Sequence, residues 1–124
     1  MTRNSHLETG RLGEILARQY LERSLGWVIR FANWRCPRGE LDLVAWDGDW
    51  LVVVEVKTRR NERYGDPFES VVGDKLIRIR RLVPFLLHEL AQSGENVADV
   101  RVDIVGLWMT DGQLRHLEHL RNAE

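Results

Sequence analysis

Trp50-Leu-Val-Val-Val-Glu-Val-Lys57 leads five apolar residues straight into a carboxylate, and Gly39-Glu-Leu-Asp-Leu-Val-Ala-Trp46 precedes it across Asp47-Gly48-Asp49. An apolar run this short and this continuous reads as a strand covered on both faces. Asp-Gly between two such runs is a hairpin signal. Period-two alternation puts Glu55 and Lys57 on one strand face, and Asp42 reaches the same end from the neighbouring strand. An unpaired Glu55 there would be costly to desolvate, so the site calls for positive charge.

Outward from this hairpin, Ser5-His-Leu-Glu8 fits a capping box and predicts a helix to about Ser24, with Leu12, Ile15, Leu16 and Tyr20 as its apolar stripe. Glu14 shares an adjacent stripe with Ala17, Arg18 and Leu21 and is expected to point at the sheet. Trp27 to Phe31 reads as a first strand, Asn33 to Gly39 as a loop, and Thr58 to Pro67 as a polar, basic loop. A second helix is expected over about Glu69 to Gln92, with Leu76, Ile79, Val83, Leu86 and Leu90 facing the core. Pro84 inside it predicts a kink or break. Val100 to Trp108 and Gln113 to Leu117 read as the last two strands, around a turn at Thr110-Asp-Gly112. The order is α-β-β-β-α-β-β, an α/β fold with a small mixed sheet of about five strands flanked by helices.

The 124 residues suit one domain, 1–124, with a core at about 10–108 and loose ends at 1–5 and 118–124. With 44% hydrophobic and 30% charged residues, disorder is not expected. No apolar run approaches the ~20 residues that span a bilayer, and Met1-Thr-Arg-Asn-Ser-His6 does not read as a leader. A lone Cys36 makes no internal disulfide, which suits a reducing cytoplasm. The net charge of −1 argues against indiscriminate nucleic-acid binding. Between Lys57 and Arg81, however, eight basic residues face four acidic ones, beside the acidic hairpin.

Asp42, Glu55 and the Val56 carbonyl are the hard oxygen donors that Mg²⁺ takes while keeping several waters, with Mn²⁺ as a substitute. Lys57 beside them suits orienting a water or stabilising charge on a phosphate. Arg59, Arg60 and Arg63, with Lys75 at the start of the second helix, are the expected phosphate contacts. Glu40 either extends the acidic site or is a solvated residue at the strand start. Arg101 and Asp103 read as an ion pair bracing the core, and His116 and His119 as surface residues. Trp27, Trp46, Trp50 and Trp108 read as core; Trp34, in a loop, is placed at the core or an interface, with base stacking as the other role open to it.

Gly13-Glu14 with Ala17, Asn33-Trp-Arg-Cys36, Gly39-Glu-Leu-Asp42, Val54-Glu-Val-Lys-Thr-Arg59, Tyr64-Gly65, Lys75 and Arg101-Val-Asp103 cover roughly residues 10 to 108. In this combination the chain resembles the YraN-like proteins of the PD-(D/E)xK nuclease superfamily. The resemblance implies a restriction-endonuclease-like fold related to archaeal Holliday junction resolvases. It carries the superfamily's catalytic set onto Asp42, Glu55 and Lys57, with Glu14 as the helical acid. Leu41 stands where the superfamily motif has proline, and Val102 where the family has phenylalanine. The expected activity is metal-dependent endonucleolytic hydrolysis of nucleic acid, DNA in the first instance, with a homodimer presenting two sites to a junction. The alternative is a non-catalytic nucleic-acid-binding or protein-interaction module on the same fold.

Overall fold

The computed structural model describes residues 5–60 and 74–123. Helix α1 (Ser5–Gln19) ends in a single π turn, Tyr20–Ser24, and is followed by β1 (Val28–Cys36), β2 (Gly39–Asp47) and β3 (Trp50–Arg59). Helix α2 (Asp74–Gln92) then crosses to β4 (Asp99–Thr110), and β5 (Gln113–Leu120) closes the sheet. The five strands lie in sequence order. All neighbours are antiparallel except β3 and β4, which the α2 crossover makes parallel. This is the mixed α/β sheet expected.

The apolar run of β3 is covered twice. Leu51 and Val53 pack with Leu76, Ile79, Leu82, Leu86 and Leu90 of α2. Val52 and Val54 pack on the other face with Ala17 and Leu21 of α1. The buried stripe of α1 therefore centres on Gly13, Ala17 and Leu21, and Ile15 of the expected stripe is 53% exposed. Small residues allow close approach: a Cβ on Gly13 would lie 2.0 Å from the Thr58 hydroxyl oxygen and 3.1 Å from its Cβ.

Other expectations are corrected. Asn33 to Gly39 is not a loop: β1 runs on to Cys36, which pairs with Gly39 across a turn at Pro37 and Arg38. Trp34 is thereby core, its indole N–H on Glu89 at 3.3 Å, while Trp50 is 41% exposed. Helix α2 continues through the exposed Pro84; its expected start, residues 69–73, lies outside the described residues. Strand β5 continues to Leu120, and Ala123 is buried, its N–H on the Val102 carbonyl at 2.7 Å. Residues 118–123 are thus tied to the sheet.

Arg101 and Asp103 do form the bracing ion pair, at 3.1 Å. His119 is not a surface residue, because Asp103 holds it at 2.7 Å and the Tyr20 hydroxyl meets its other ring nitrogen at 2.8 Å. Burial opposes ionisation of Asp103. Hydrogen bonds with His119, the Asn122 N–H and Arg101 nevertheless hold its pKa below the ordinary carboxylate value.

Gly13→Ala should cost about 1–3 kcal/mol through overpacking against Thr58, since removing a helical glycine returns only about 1 kcal/mol. Adding Thr58→Ala, which removes the two side-chain atoms beyond Cβ, should recover most of that loss. Urea unfolding of the four variants as a double-mutant cycle checks it, and additive effects would mean the two residues do not meet.

Candidate metal and phosphodiester site

The β2–β3 ladder stops at Leu43–Val54, although β2 begins at Gly39 and β3 continues to Arg59. Beyond that point the two strands part. Leu41 packs toward α2 and Leu43 toward α1, so Asp42 between them breaks the alternation. Asn33, opposite Asp42 in the β1–β2 register, breaks it too, with φ of 55°. Asparagine tolerates that left-handed conformation better than most residues. The Asp42 carboxylate falls into the fork and accepts the Val56 N–H at 2.8 Å. In a strand the N–H and C=O of one residue face the same neighbour, which leaves the Val56 carbonyl on the fork side.

Glu55, 8% exposed, follows Leu51 and Val53 on the α2 face and hydrogen-bonds with Asp42. The lysine that meets it is Lys75 of α2, Nζ to Oε1 at 3.2 Å. Lys57 and Arg59 follow on Glu55's face by strand alternation. The Nε of Arg59 is buried without a hydrogen-bond partner among the described residues. Arg60 ends the described part of this segment, and Arg63 lies outside it. Glu14 approaches from α1, where Asn33 hydrogen-bonds to it. Glu40 is exposed and pairs with Arg35 at 3.1 Å.

Proximity and burial raise the affinity of these acids for protons. Burial, then the Asp42 charge, pushes the Glu55 pKa up to about 7 against the pull of Lys75. Burial also raises Asp42, despite the Val56 N–H. Glu14 is raised by burial and by the charges of Asp42 and Glu40.

Among the described residues no group of three or more His, Cys, Asp or Glu side chains is gathered to hold a metal ion. The smaller donor set still fits a hard divalent cation. The buried Glu55 and the half-buried Asp42 share the fork with a backbone carbonyl, and magnesium takes its remaining ligands from water. Asn33 contributes from a strand where the sequence predicts a loop, its signal being the motif Asn33-Trp-Arg-Cys36, and the loop expected from Thr58 is likewise strand as far as Arg59.

A chain with this forked sheet and carboxylate pair can be placed by its relatives. The model of the uncharacterised protein family UPF0102 matches residues 13–107, from Gly13 of α1 into β4. A UPF0102 protein of Renibacterium salmoninarum is 47% identical over 93% of this chain and 94% of its own. One from Rhodococcus jostii is 44% identical over 95% and 97%, and one from Beutenbergia cavernae 45% over 92% and 93%. The chain belongs to the UPF0102, or YraN-like, family. No described helix is long and apolar enough to cross a membrane.

The carboxylate pair fixes a pH dependence. The folded Glu55 pKa, about 7, lies above its ordinary 4.5, so between those values the folded state holds a proton that the unfolded chain has released. The Glu55 contribution to stability is therefore full below about pH 4.5 and is lost as pH rises through 7. Glu55→Gln should flatten that fall and leave the protein more stable than wild type at pH 8, by of order 1–3 kcal/mol. Denaturant melts at pH 5 and pH 8 read the difference; a Glu55→Gln protein strongly destabilised at both would make the residue structural.

Proposed function

We propose that this protein is a metal-dependent phosphodiesterase that cuts nucleic acid, DNA in the first instance. The observation that carries the reading is the desolvated Asp42–Glu55 pair in the fork between β2 and β3. A structural carboxylate would be buried with cations and donors only, as Asp103 is. Two acids held against each other are instead the arrangement that a divalent cation relieves.

In this reading Asp42, Glu55 and the Val56 carbonyl hold Mg²⁺ or Mn²⁺. The bound ion supplies a water of lowered pKa and neutralises charge on the scissile phosphate. Val56 N–H holds the Asp42 carboxylate in place. Lys57, two residues beyond Glu55 on its face, orients the water or stabilises charge on the phosphate. Glu14, with its raised pKa, is positioned by Asn33 to hold or release a proton at the edge of the site. Arg59, Arg60 and Arg63 place the backbone over the carboxylates. A cytoplasmic protein acting as a homodimer would offer two such sites to a branched substrate.

The Glu55–Lys75 pair favours a second reading, in which an internal cation occupies the acid and the module binds strands without cutting. Cleavage of junction, flap, single-stranded and duplex DNA with magnesium or manganese separates the two. Lys57→Ala should spare binding and lower turnover by about 10²–10³-fold. Glu55→Gln should abolish metal binding measured by titration calorimetry. A wild type that binds metal and DNA yet cuts no substrate supports the non-catalytic reading.

A further inference from the structure

The β1–β2 turn and the first half of α2 enclose a groove of about 530 Å³ outside the carboxylate fork. Arg38 stands on one wall, and Lys75, Arg78 and Arg81 on the other. Glu40 is the one carboxylate among the described lining, and Arg35 already pairs with it at 3.1 Å. Among the described residues no ion pair engages Arg38, Arg78 or Arg81. Three cations with no ion pair, beside one acid that is already matched, call for a polyanion.

The spacing narrows the class. Lys75, Arg78 and Arg81 recur every third residue, forming a row along α2 about 9 Å long at ~1.5 Å per residue. Guanidinium groups suit phosphate oxygens two at a time. At the far end of the row Phe85 is 43% exposed, with the Arg38 guanidinium carbon 5.2 Å from its ring centroid. With the Arg38 cation over its face, the exposed ring and the planar guanidinium together offer a base a stacking surface. Free phosphate or an acidic peptide would use the cations and leave Phe85 unexplained. At the near end Lys75 touches Glu55, so the row leads into the fork.

We propose that the groove holds an unpaired nucleic-acid strand next to the phosphodiester presented to Asp42 and Glu55, with Arg78 and Arg81 on phosphates and Phe85 under a base. This rests on the phosphodiesterase reading and deepens it, because stacking on Phe85 requires a base free of its partner. The favoured substrates are then single strands, flaps and branched DNA over continuous duplex.

The test is anisotropy with labelled oligodeoxythymidine and with duplex of equal length, on the full chain in EDTA, so that neither metal nor cleavage is needed. Arg78→Gln with Arg81→Gln should weaken single-strand binding at least tenfold and reduce the slope of log K against log salt by about 1.4, two contacts at ~0.7 each. Phe85→Ala should weaken it about tenfold with the slope unchanged, the size of one lost stack. Arg115→Gln, on β5, should change neither. Thermal melts verify that the variants fold, Arg78, Arg81 and Phe85 all being exposed.

An unchanged slope in the double variant overturns the proposal. So does duplex bound as tightly as the single strand, or an abasic oligonucleotide bound as tightly as oligodeoxythymidine. A wild type that binds as expected but never cuts removes the hydrolytic reading and leaves the groove. One that cuts while these variants bind normally removes the groove alone.

Discussion

The site depends on one hydrogen bond that the sheet would ordinarily have supplied. Past Leu43 and Val54 the backbone of β2 no longer serves β3, and the Val56 N–H turns to the Asp42 carboxylate at 2.8 Å. A buried amide left unpaired would cost about 1–3 kcal/mol, so the carboxylate is drawn into the fork and held there. The same departure needs both hairpin strands to break alternation together, which Asn33 accomplishes opposite Asp42 with its positive φ. Gly13 lets α1 settle against Thr58, and Glu14, the next residue, reaches the fork from the other face.

Asp103, fully buried, and Asp42, half-buried, differ in what surrounds them. Asp103 meets Arg101, His119 and the Asn122 N–H, so its charge is favoured despite burial and its pKa falls. Those partners tie β4 to β5 and to the Tyr20 end of the first helix. Asp42 has one backbone donor and a hydrogen bond with Glu55, and burial outweighs both to raise its pKa, while the Asp42 charge adds to burial in raising Glu55. Of the two, only Asp103 is saturated with donors. Perturbation by a like charge in a cleft is the pattern found at working sites, and it is what a stability network avoids.

Much of this was legible in the sequence because β3 is periodic and covered on both faces. Its apolar run, the Asp47-Gly48-Asp49 turn and the placement of Asp42 and Glu55 at one end follow from pattern alone. The fork did not follow, since where a ladder stops is set by tertiary packing on both faces. The same limit hid β1 beyond Phe31: Cys36-Pro37 reads as punctuation, whereas here it leads into a tight turn braced by Gly39 against Leu82. His119 escaped because its partners Asp103 and Tyr20 are distant in the chain and meet only when β5 closes the sheet. The sequence marks Lys75 as an expected phosphate contact, but its approach to Glu55 depends on how α2 lies across the sheet.

That approach bears on which reading of the site is stronger. The Lys75 side chain is 42% exposed while Glu55 is 10% exposed, so the ammonium keeps much of its hydration as it neutralises the acid. An ion pair with one solvated end contributes little, of order 1 kcal/mol or less. Such a pair can yield to a divalent cation on the Glu55 side and to a phosphate on the groove side. A lock intended to keep the carboxylate occupied would bury both partners and saturate their hydrogen bonds, as Arg101 and Asp103 do at 12% and 0% side-chain exposure. On the phosphodiesterase reading, Lys75 is the resting counter-ion of the acid, standing where the cationic row of α2 meets the fork.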